Sequence, residues 1–383
     1  MIALIAAHNE GDVIYHVIGD LIYNGVKVYL IDNHSTDNTI EQARSWLGRG
    51  LLHIERFPED SGYPERNQRE YVWRDILRRK EELAAHLRAD WFIHADADEF
   101  RESPWLDMGL ADGMHYVDSL GFNAIQFELL NFRPVDDDFI PGTDIRTHLT
   151  YYEPGELFNT TQIKAWKQTP HPVQLAQHGG HMVVFPGRRV CPVPFIVRHY
   201  PIRGETHGRR KVFAERKPRF APEERALQWH VQYDEFIEGQ TSFLHDPDLL
   251  TCYDAAVVRA DILSGVIRDL LLMENLHGAS AALTDTTLDG GAVCSWVTHI
   301  SRELNPVHLA TAVQANEFLD RMLQTPVNRQ DISVADIPAD RIPTLLAMAR
   351  IKKAQATLHG NALKVKRLET FCHALRGAAT SLQ

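Results

Sequence analysis

Short apolar segments alternate with amphipathic helices over the first hundred residues. Strands are predicted at residues 3–6, 27–31, 51–55 and 91–95. Between the first two, apolar residues from Ile14 to Ile22 recur at helical spacing, and Asn24-Gly25 provides a stop signal. This alternation predicts an α/β fold in which helices cover both faces of a parallel sheet.

Each predicted strand ends in polar residues. His8-Asn9-Glu10 follows the first strand, residues 32–37 follow the second, Ser61-Gly62 follows the third, and residues 96–99 follow the fourth. Ligands of open α/β sheets bind outside the carboxyl ends of the strands. We therefore expect one crevice to gather these side chains.

The run from Asp90 to Phe100 is the most informative chemically, because a buried strand delivers Asp96 and Asp98 to its end. Such carboxylates need a cation, arginines or water. On extended backbone, residues two apart project to the same side, so both carboxylates can reach one divalent ion such as Mg²⁺ or Mn²⁺. The same spacing recurs at residues 136–138 and 246–248, where no buried strand precedes it and solvated loops are expected.

Composition restricts the class of protein. The 383 residues are 44% hydrophobic, enough for one large domain with an appendage or for two domains. A net charge of -11 disfavours a nucleic-acid partner. The four cysteines are isolated, and the N-terminal apolar residues lack the basic flank of a signal peptide. We expect a cytoplasmic protein with reduced thiols and no transmembrane segment.

The alternation weakens after residue 120. Strands are predicted at 124–129 and 162–166, a long acidic loop at 134–155, a helix at 223–239 and a linker at 278–292. Residues 188–219 carry ten Lys or Arg against two Glu, which indicates a nearby anionic ligand. For residues 216–219 a solvated helix face is the favoured interpretation.

Several segments together resemble glycosyltransferase family 2 enzymes with the GT-A fold. They are AHNEGDVI (7–14), IDNHSTDNT (31–39), Arg66-Asn67 and DADE (96–99), and blocks within 179–234 look like a bacterial subgroup. The resemblance implies a GT-A-like, Rossmann-type nucleotide-diphospho-sugar transferase sheet in residues 1–240. Residues 1–100 would form the donor nucleotide half, and 101–240 the acceptor half with the segment that closes the metal site. Residues 241–383 are left as a helical C-terminal region.

The resemblance also implies roles for individual residues. Asp98 would bind a divalent cation, Mn²⁺ or Mg²⁺, together with Asp96, which would also lie close to the ribose or sugar. His199 follows an apolar run, where the family often completes the metal shell. Asn9, Glu10, Asp32 and Arg66 match positions that shape the nucleotide pocket. Independently of the resemblance, Arg203, His207 and Lys211 recur at helical spacing, which predicts that they point together at the phosphates of the donor, with an ordinary basic helix face as the alternative. Asn33 stands where many relatives have a second aspartate, so recognition of the base is less defined.

The implied reaction is inversion by single displacement. A hydroxyl of a glycan, lipid-linked or small-molecule acceptor attacks the anomeric carbon of the nucleotide-diphosphate sugar, and a carboxylate takes its proton. Asp144 and Glu153 are the candidates for this base, among several acids in the same stretch.

Three alternatives remain open. A haloacid-type phosphohydrolase would use Asp96 as nucleophile and Asp98 as acid, although Phe100 stands where that chemistry normally has Thr or Val. A sugar nucleotidyltransferase needs a Gly-rich phosphate loop after its first strand, which AHNEGD does not provide. A non-catalytic carbohydrate-binding relative would bind a sugar without metal-dependent turnover.

Overall fold

The computed structural model describes residues 1–59, 71–119, 121–154, 161–226, 229, 233–259, 262, 366–369 and 371. These residues form a mixed α/β structure around one sheet of ten strands. In chain order the strands are β1 (Ile2–Ala7), β2 (Lys27–Asp32), β3 (Leu51–Arg56), β4 (Trp91–Asp96), β5 (Glu99–Glu102), β6 (Ala124–Phe132), β7 (Tyr151–Pro154), β8 (Thr161–Lys167), β9 (Val190–His199) and β10 (Thr251–Cys252). The helices are α1 (Ile14–Tyr23), α2 (Thr39–Arg44), α3 (Trp73–His86), α4 (Leu110–Ser119), α5 (Glu205–Arg209) and α6 (Pro222–Ala226).

The parallel half of the sheet confirms the predicted alternation. Its order is β3-β2-β1-β4, with β1 parallel to both β2 and β4. The chain proceeds from β1 toward β3 on one side and returns to β4 on the other. In a Rossmann-type sheet, such a reversal of strand order marks the crevice in which ligands bind. The exits of β1 and β4 lie on either side of that point.

Two apolar layers explain why the strands of this half are so rich in apolar residues. Helices α1 and α4 cover one face of the sheet, while α3 covers the other. On α1 the buried positions include Ile14, Val17, Ile18 and Leu21, as the helical spacing predicts. Each fully buried aliphatic side chain of this kind stabilises the fold by about 1.5–3 kcal/mol.

The second half of the sheet is largely antiparallel. β8 joins β4 to β6, β7 and β10 extend the sheet beyond β6, and β9 pairs parallel to β6 and antiparallel to β5. The predicted loop at 134–155 therefore needs correction, because it contains β7 and a 3₁₀ turn at Ile145–Thr147. Of the described residues within the helix predicted at 223–239, those up to Ala226 belong to α6, whereas Trp229 and residues 233–239 form turns and irregular backbone.

After residue 240, the two-residue strand β10 pairs with β7 at the edge of the sheet. Most of the predicted helical region at 241–383, including the linker at 278–292, lies outside the described residues. Among the residues that are described, no helix is long and apolar enough to cross a membrane.

Candidate active site

The turn after β4 separates the two aspartates. β4 ends at Asp96, the chain turns at Ala97-Asp98, and Glu99 begins β5 opposite His199 of β9. The prediction that Asp96 and Asp98 project together from extended backbone is therefore wrong. Each carboxylate instead contacts its own lysine.

Asp98 lies in a cluster of cationic side chains. Its Oδ2 accepts a hydrogen bond from Lys211 Nζ at 2.9 Å and lies 3.7 Å from Arg203 Nη2. His199 Nε2 lies 3.7 Å from its Oδ1. Burial opposes ionisation of Asp98, but Lys211 and Arg203 hold its pKa well below the ordinary range. Asp98 is therefore a carboxylate near neutral pH.

Asn131, on β6, fixes the orientation of His199. The side-chain oxygen of Asn131 lies 2.8 Å from His199 Nδ1, and an amide oxygen can only accept a hydrogen bond. Nδ1 therefore carries the proton, and the lone pair of Nε2 faces Asp98. Burial lowers the pKa of His199, so the ring is neutral near pH 7 and suited to binding a cation.

The basic segment continues from α5 into a π-helical stretch at Arg210–Arg216. Arg203 Nη2 donates to Glu10 Oε2 at 2.6 Å, and Lys211 Nζ donates to Glu10 Oε1 at 3.0 Å. His207 Nε2 lies 2.7 Å from Arg203 Nη1. The predicted convergence of Arg203, His207 and Lys211 is confirmed, and Glu10 binds the two cations.

Arg216 and Arg219 also face the crevice, so the expectation of a solvated helix face at 216–219 is wrong for both. Arg216 lies over the ring of Tyr71, with its guanidinium carbon 4.8 Å from the centroid, and reaches within 3.9 Å of Glu10. Arg219 Nη2 donates to Asn33 Oδ1 at 2.7 Å. The π-helical stretch accounts for the error, because it shifts side chains out of the 3.6-residue period.

The exits of β1 and β2 are locked together by side-chain hydrogen bonds. Asn9 has a φ of 55°, and its Oδ1 accepts from Thr36 N at 2.8 Å while its Nδ2 donates to Glu215 at 3.0 Å. Asp32 accepts from Ser35 N at 3.2 Å. The predicted donor-binding residues Asn9 and Asp32 thus shape the rim of the crevice. Arg66, which is also a predicted donor-binding residue, lies outside the described residues.

Asp96 contacts a second, separate group of charges. Its Oδ2 accepts from Lys164 Nζ at 3.1 Å, and the same ammonium donates to Glu99 Oε1 at 3.0 Å. Arg101 forms an ion pair with the other oxygen of Glu99. Burial opposes ionisation of Asp96, but Lys164 and neighbouring cationic groups hold its pKa well below the ordinary value.

The two candidate bases differ in their surroundings. Asp144 caps the 3₁₀ turn and accepts hydrogen bonds from the backbone and guanidinium of Arg146. Although partial burial opposes ionisation, these hydrogen bonds lower the pKa of Asp144, which weakens it as a base. Glu153 pairs with Arg133.

Strand register aligns Glu153 with the His199 pair. Glu153 is opposite Asn131, and Asn131 is opposite His199, so the three residues form one row across β7, β6 and β9. Register partners share a sheet face, and two strand spacings put Glu153 roughly 10 Å from His199 along the row. Glu153 therefore lies on the same face as the Asp98 cluster.

The other two Asp-x-Asp pairs are exposed, as predicted. Asp136 and Asp246 each accept a hydrogen bond from the backbone of the residue two positions later, a common turn arrangement.

Sequence reasoning missed five residues of the site: Asp12, Asn131, Lys164, Arg216 and Arg219. Asp12 lies 3.5 Å from Arg203, and burial raises its pKa. A lysine between the apolar residues Ile163 and Ala165 of a predicted strand was a usable signal for Lys164, and a polar side chain near a strand end for Asn131. Their partners are 68 residues away in both cases, which the local pattern does not specify.

Among the described residues of the crevice, two side chains, those of Asp98 and His199, are placed to bind one divalent cation. Asp98 Oδ1 and His199 Nε2 face each other, and a bound phosphate or water can complete the shell of a hard ion. Within the described ranges, no group of three or more His, Cys, Asp or Glu side chains is placed to hold a metal. No described contact joins Asp96 to this pair.

No protein-family model matches the chain, and neither does any curated protein. Among solved structures, S. aureus TarS 1–349 is 9% identical with a TM-score of 0.32, covering 99% of this chain and 91% of that one. The mannosyltransferase PcManGT from Pyrobaculum calidifontis, in complex with GDP-Man and Mn²⁺, is 13% identical with a TM-score of 0.27, covering 99% and 86%. Likenesses this low carry no argument, so function is argued from the chain's own geometry.

Proposed function

We propose that the chain is a metal-dependent, inverting glycosyltransferase that moves a sugar from a nucleotide diphosphate to an acceptor hydroxyl. One observation carries the proposal. Asp98 and His199 face each other beside Lys211 and Arg203, at the switch point of a Rossmann-type sheet. A paired carboxylate and neutral imidazole suit a cation, and the two side-chain cations suit a diphosphate.

Charge balance in the crevice supports a polyanionic ligand that arrives with a metal ion. Three carboxylates, Glu10, Asp12 and Asp98, are matched by Arg203, Lys211 and Arg216. A divalent ion alone would add uncompensated positive charge to a buried, nearly neutral cluster. A nucleoside diphosphate brings the compensating charge.

The chain's own residues have defined tasks in this reaction. Asp98 and His199 would hold the cation, which supplies positive charge against the charge growing on the departing phosphate. Lys211 and Arg203 contribute to the same stabilisation from fixed positions. Each candidate base is paired with an arginine, Glu153 with Arg133 and Asp144 with Arg146. Glu153 is the better-placed base, because it shares the sheet face of His199.

The electrostatics of Asp98 disfavour the phosphohydrolase alternative. That chemistry needs Asp98 to donate a proton, yet Lys211 and Arg203 hold its pKa well below the ordinary value despite burial. A residue ionised so strongly is a poor general acid near neutral pH.

The test is a panel of UDP-, GDP-, dTDP- and CMP-sugars with and without Mn²⁺, measuring binding by calorimetry and slow donor hydrolysis. We expect one nucleotide class to bind at least about tenfold more tightly with Mn²⁺ than with EDTA. Asp136→Asn, in an exposed Asp-x-Asp pair, is the matched control and should behave as the wild type. Failure of every donor would refute the proposal, and release of phosphate from simple monoesters would favour the hydrolase.

A further inference from the structure

Lys164 is a buried cation that the glycosyltransferase proposal does not use. It lies on β8, its side chain is 4% exposed, and its ammonium bridges Asp96 and Glu99. Burial would favour the neutral amine, but the two carboxylates outweigh it and raise the pKa of Lys164. The bridge is therefore a permanent positive charge between two negative ones.

The backbone that leads to Asp96 is held by groups other than the Lys164 ammonium. Lys80, from α3, donates to the carbonyl oxygen of Ala95 at 2.8 Å, and Arg101 donates to that of His94 at 3.0 Å. The amide of Asp96 donates to Glu99 at 3.1 Å. With the backbone fixed, the direction of the Asp96 carboxylate depends on its side-chain torsions, which the bond to Lys164 restrains.

Asp96 is the exposed member of this otherwise buried group. Its side chain is 30% exposed, while those of Lys164 and Glu99 are 4% and 2% exposed. Lys164 contacts Oδ2, and no hydrogen bond to Oδ1 comes from the described part of the chain. Oδ2 of Asp96 is thus bound by Lys164, while Oδ1 can accept a hydrogen bond from a ligand.

The ammonium also decides what kind of ligand that oxygen suits. A divalent ion on Asp96 would lie a few ångströms from Lys164, and repulsion at that distance is strong in a low-dielectric site. A hydroxyl group donates a proton without adding charge. A lysine also contacts Asp98, but there His199 offers a second ligand for the ion, whereas the described residues offer Asp96 no such ligand. The environment of Asp96 therefore favours a hydroxyl over a metal ion.

We propose that Lys164 is a positioning residue, which holds Asp96 out of the metal shell and aims its free oxygen at a hydroxyl of the bound donor. This inference rests on the proposed glycosyltransferase function. Its distinctive consequence is that Lys164 affects affinity for the donor without affecting the response to the metal.

The experiment measures donor binding and turnover for Lys164→Met, Lys164→Arg and the matched control Lys167→Met, using the donor that the wild type binds best. Lys167 lies on the same strand, with a side chain 44% exposed and paired with Asp118. We expect Lys164→Met to raise the donor KM at least about tenfold, with a smaller change in kcat and an unchanged half-saturating Mn²⁺ concentration. Lys164→Arg should recover part of the affinity, and Lys167→Met should match the wild type.

A double-mutant cycle with Asp96→Asn separates positioning from a general loss of structure. If Lys164 acts through Asp96, the two substitutions together should weaken donor binding no more than Asp96→Asn alone. Additive effects, an unchanged donor KM in Lys164→Met or a shifted Mn²⁺ response would overturn the inference. They would leave the proposed function intact, whereas absence of donor binding in the wild type would overturn both.

Lys164→Met leaves the carboxylates of Asp96 and Glu99 without their shared cation and can fail to fold. Lys164→Met combined with Glu99→Gln restores the charge balance, and the amide oxygen of Gln can still accept from the backbone of residue 96. This variant should show the same loss of donor affinity. Wild-type affinity in the folded double variant would overturn the inference.

Discussion

Asp96 and Asp98 are two residues apart, yet their counter-ions belong to different parts of the molecule. Asp96 is paired with Lys164 of β8, inside the sheet, where Glu99 and Arg101 complete a buried network. The partners of Asp98 are Lys211 and Arg203, on the basic segment that closes the crevice.

The difference concerns which contacts a ligand can replace. Lys211 and Arg203 belong to the basic segment, where phosphate oxygens can replace Glu10 and Asp98 as their partners. Lys164 lies on β8 between Asp96 and Glu99, although its side chain is about as buried as those of Lys211 and Arg203, at 4% exposed against 5% and 0%. The Asp98 side is therefore suited to binding charge, and the Asp96 side to holding a fixed hydrogen-bond acceptor.

The largest expected effect separates the two aspartates by their response to metal. Asp98→Asn removes one of the two cation ligands, so Mn²⁺-stimulated turnover should fall by about a thousandfold, corresponding to several kcal/mol of lost charge stabilisation. Asp96→Asn should lower donor affinity by about tenfold and leave the Mn²⁺ dependence unchanged. Manganese titrations of both variants measure the difference, and an equal shift in both would remove the distinction.

A smaller effect concerns Glu153, which lies in one row of the sheet with Asn131 and with His199, the neighbour of Asp98. Replacing a general base typically costs about 10²- to 10⁴-fold, so Glu153→Gln should lower kcat by about a hundredfold with little change in donor KM. Asp144→Asn, whose carboxylate is bound by Arg146, should retain most of kcat. Steady-state kinetics on one acceptor decides between them, and the reverse order would reassign the base.

The sequence predicts the parallel half of the fold and the Asp98 side of the site well. Buried strands that alternate with amphipathic helices predict a parallel sheet covered on both faces. The carboxyl ends of its strands then lie along one edge of the sheet. Helical spacing singled out Arg203, His207 and Lys211, although only His207 lies in α5, since Arg203 precedes that helix and Lys211 lies in the π-helical stretch.

The remaining features depend on pairings that local pattern does not encode. Lys164 reaches Asp96 only because β8 enters antiparallel beside β4, and Asn131 reaches His199 only through the β6–β9 register. Arg216 was misplaced because a π-helical stretch follows an α-helical turn. The turn at Ala97-Asp98 likewise ends the extended backbone on which the shared-ligand expectation depended.

The last test concerns the Asp96 side through its buried base, Lys80, and it measures stability rather than turnover. Lys80 is fully buried against His94 and the carbonyl of Ala95, and burial lowers its pKa to about 7. Between that value and the ordinary lysine value, the unfolded chain binds a proton that the folded chain does not, so this residue makes stability rise with pH. The slope is at most about 1.4 kcal/mol per pH unit, and it vanishes below pH 7, where both states are protonated.

Lys80→Met removes the contribution of Lys80 to the pH dependence of stability and leaves the contributions of the other titratable groups in place. Denaturant melts from pH 6 to pH 10 should therefore show the wild type gaining stability relative to Lys80→Met as pH rises above 7. Lys167→Met, on an exposed lysine, should give a curve parallel to that of the wild type. Parallel curves for Lys80→Met would mean that Lys80 stays charged in the folded protein. The buried side of the site would then carry an extra positive charge beneath Asp96, strengthening the repulsion that excludes a metal ion there.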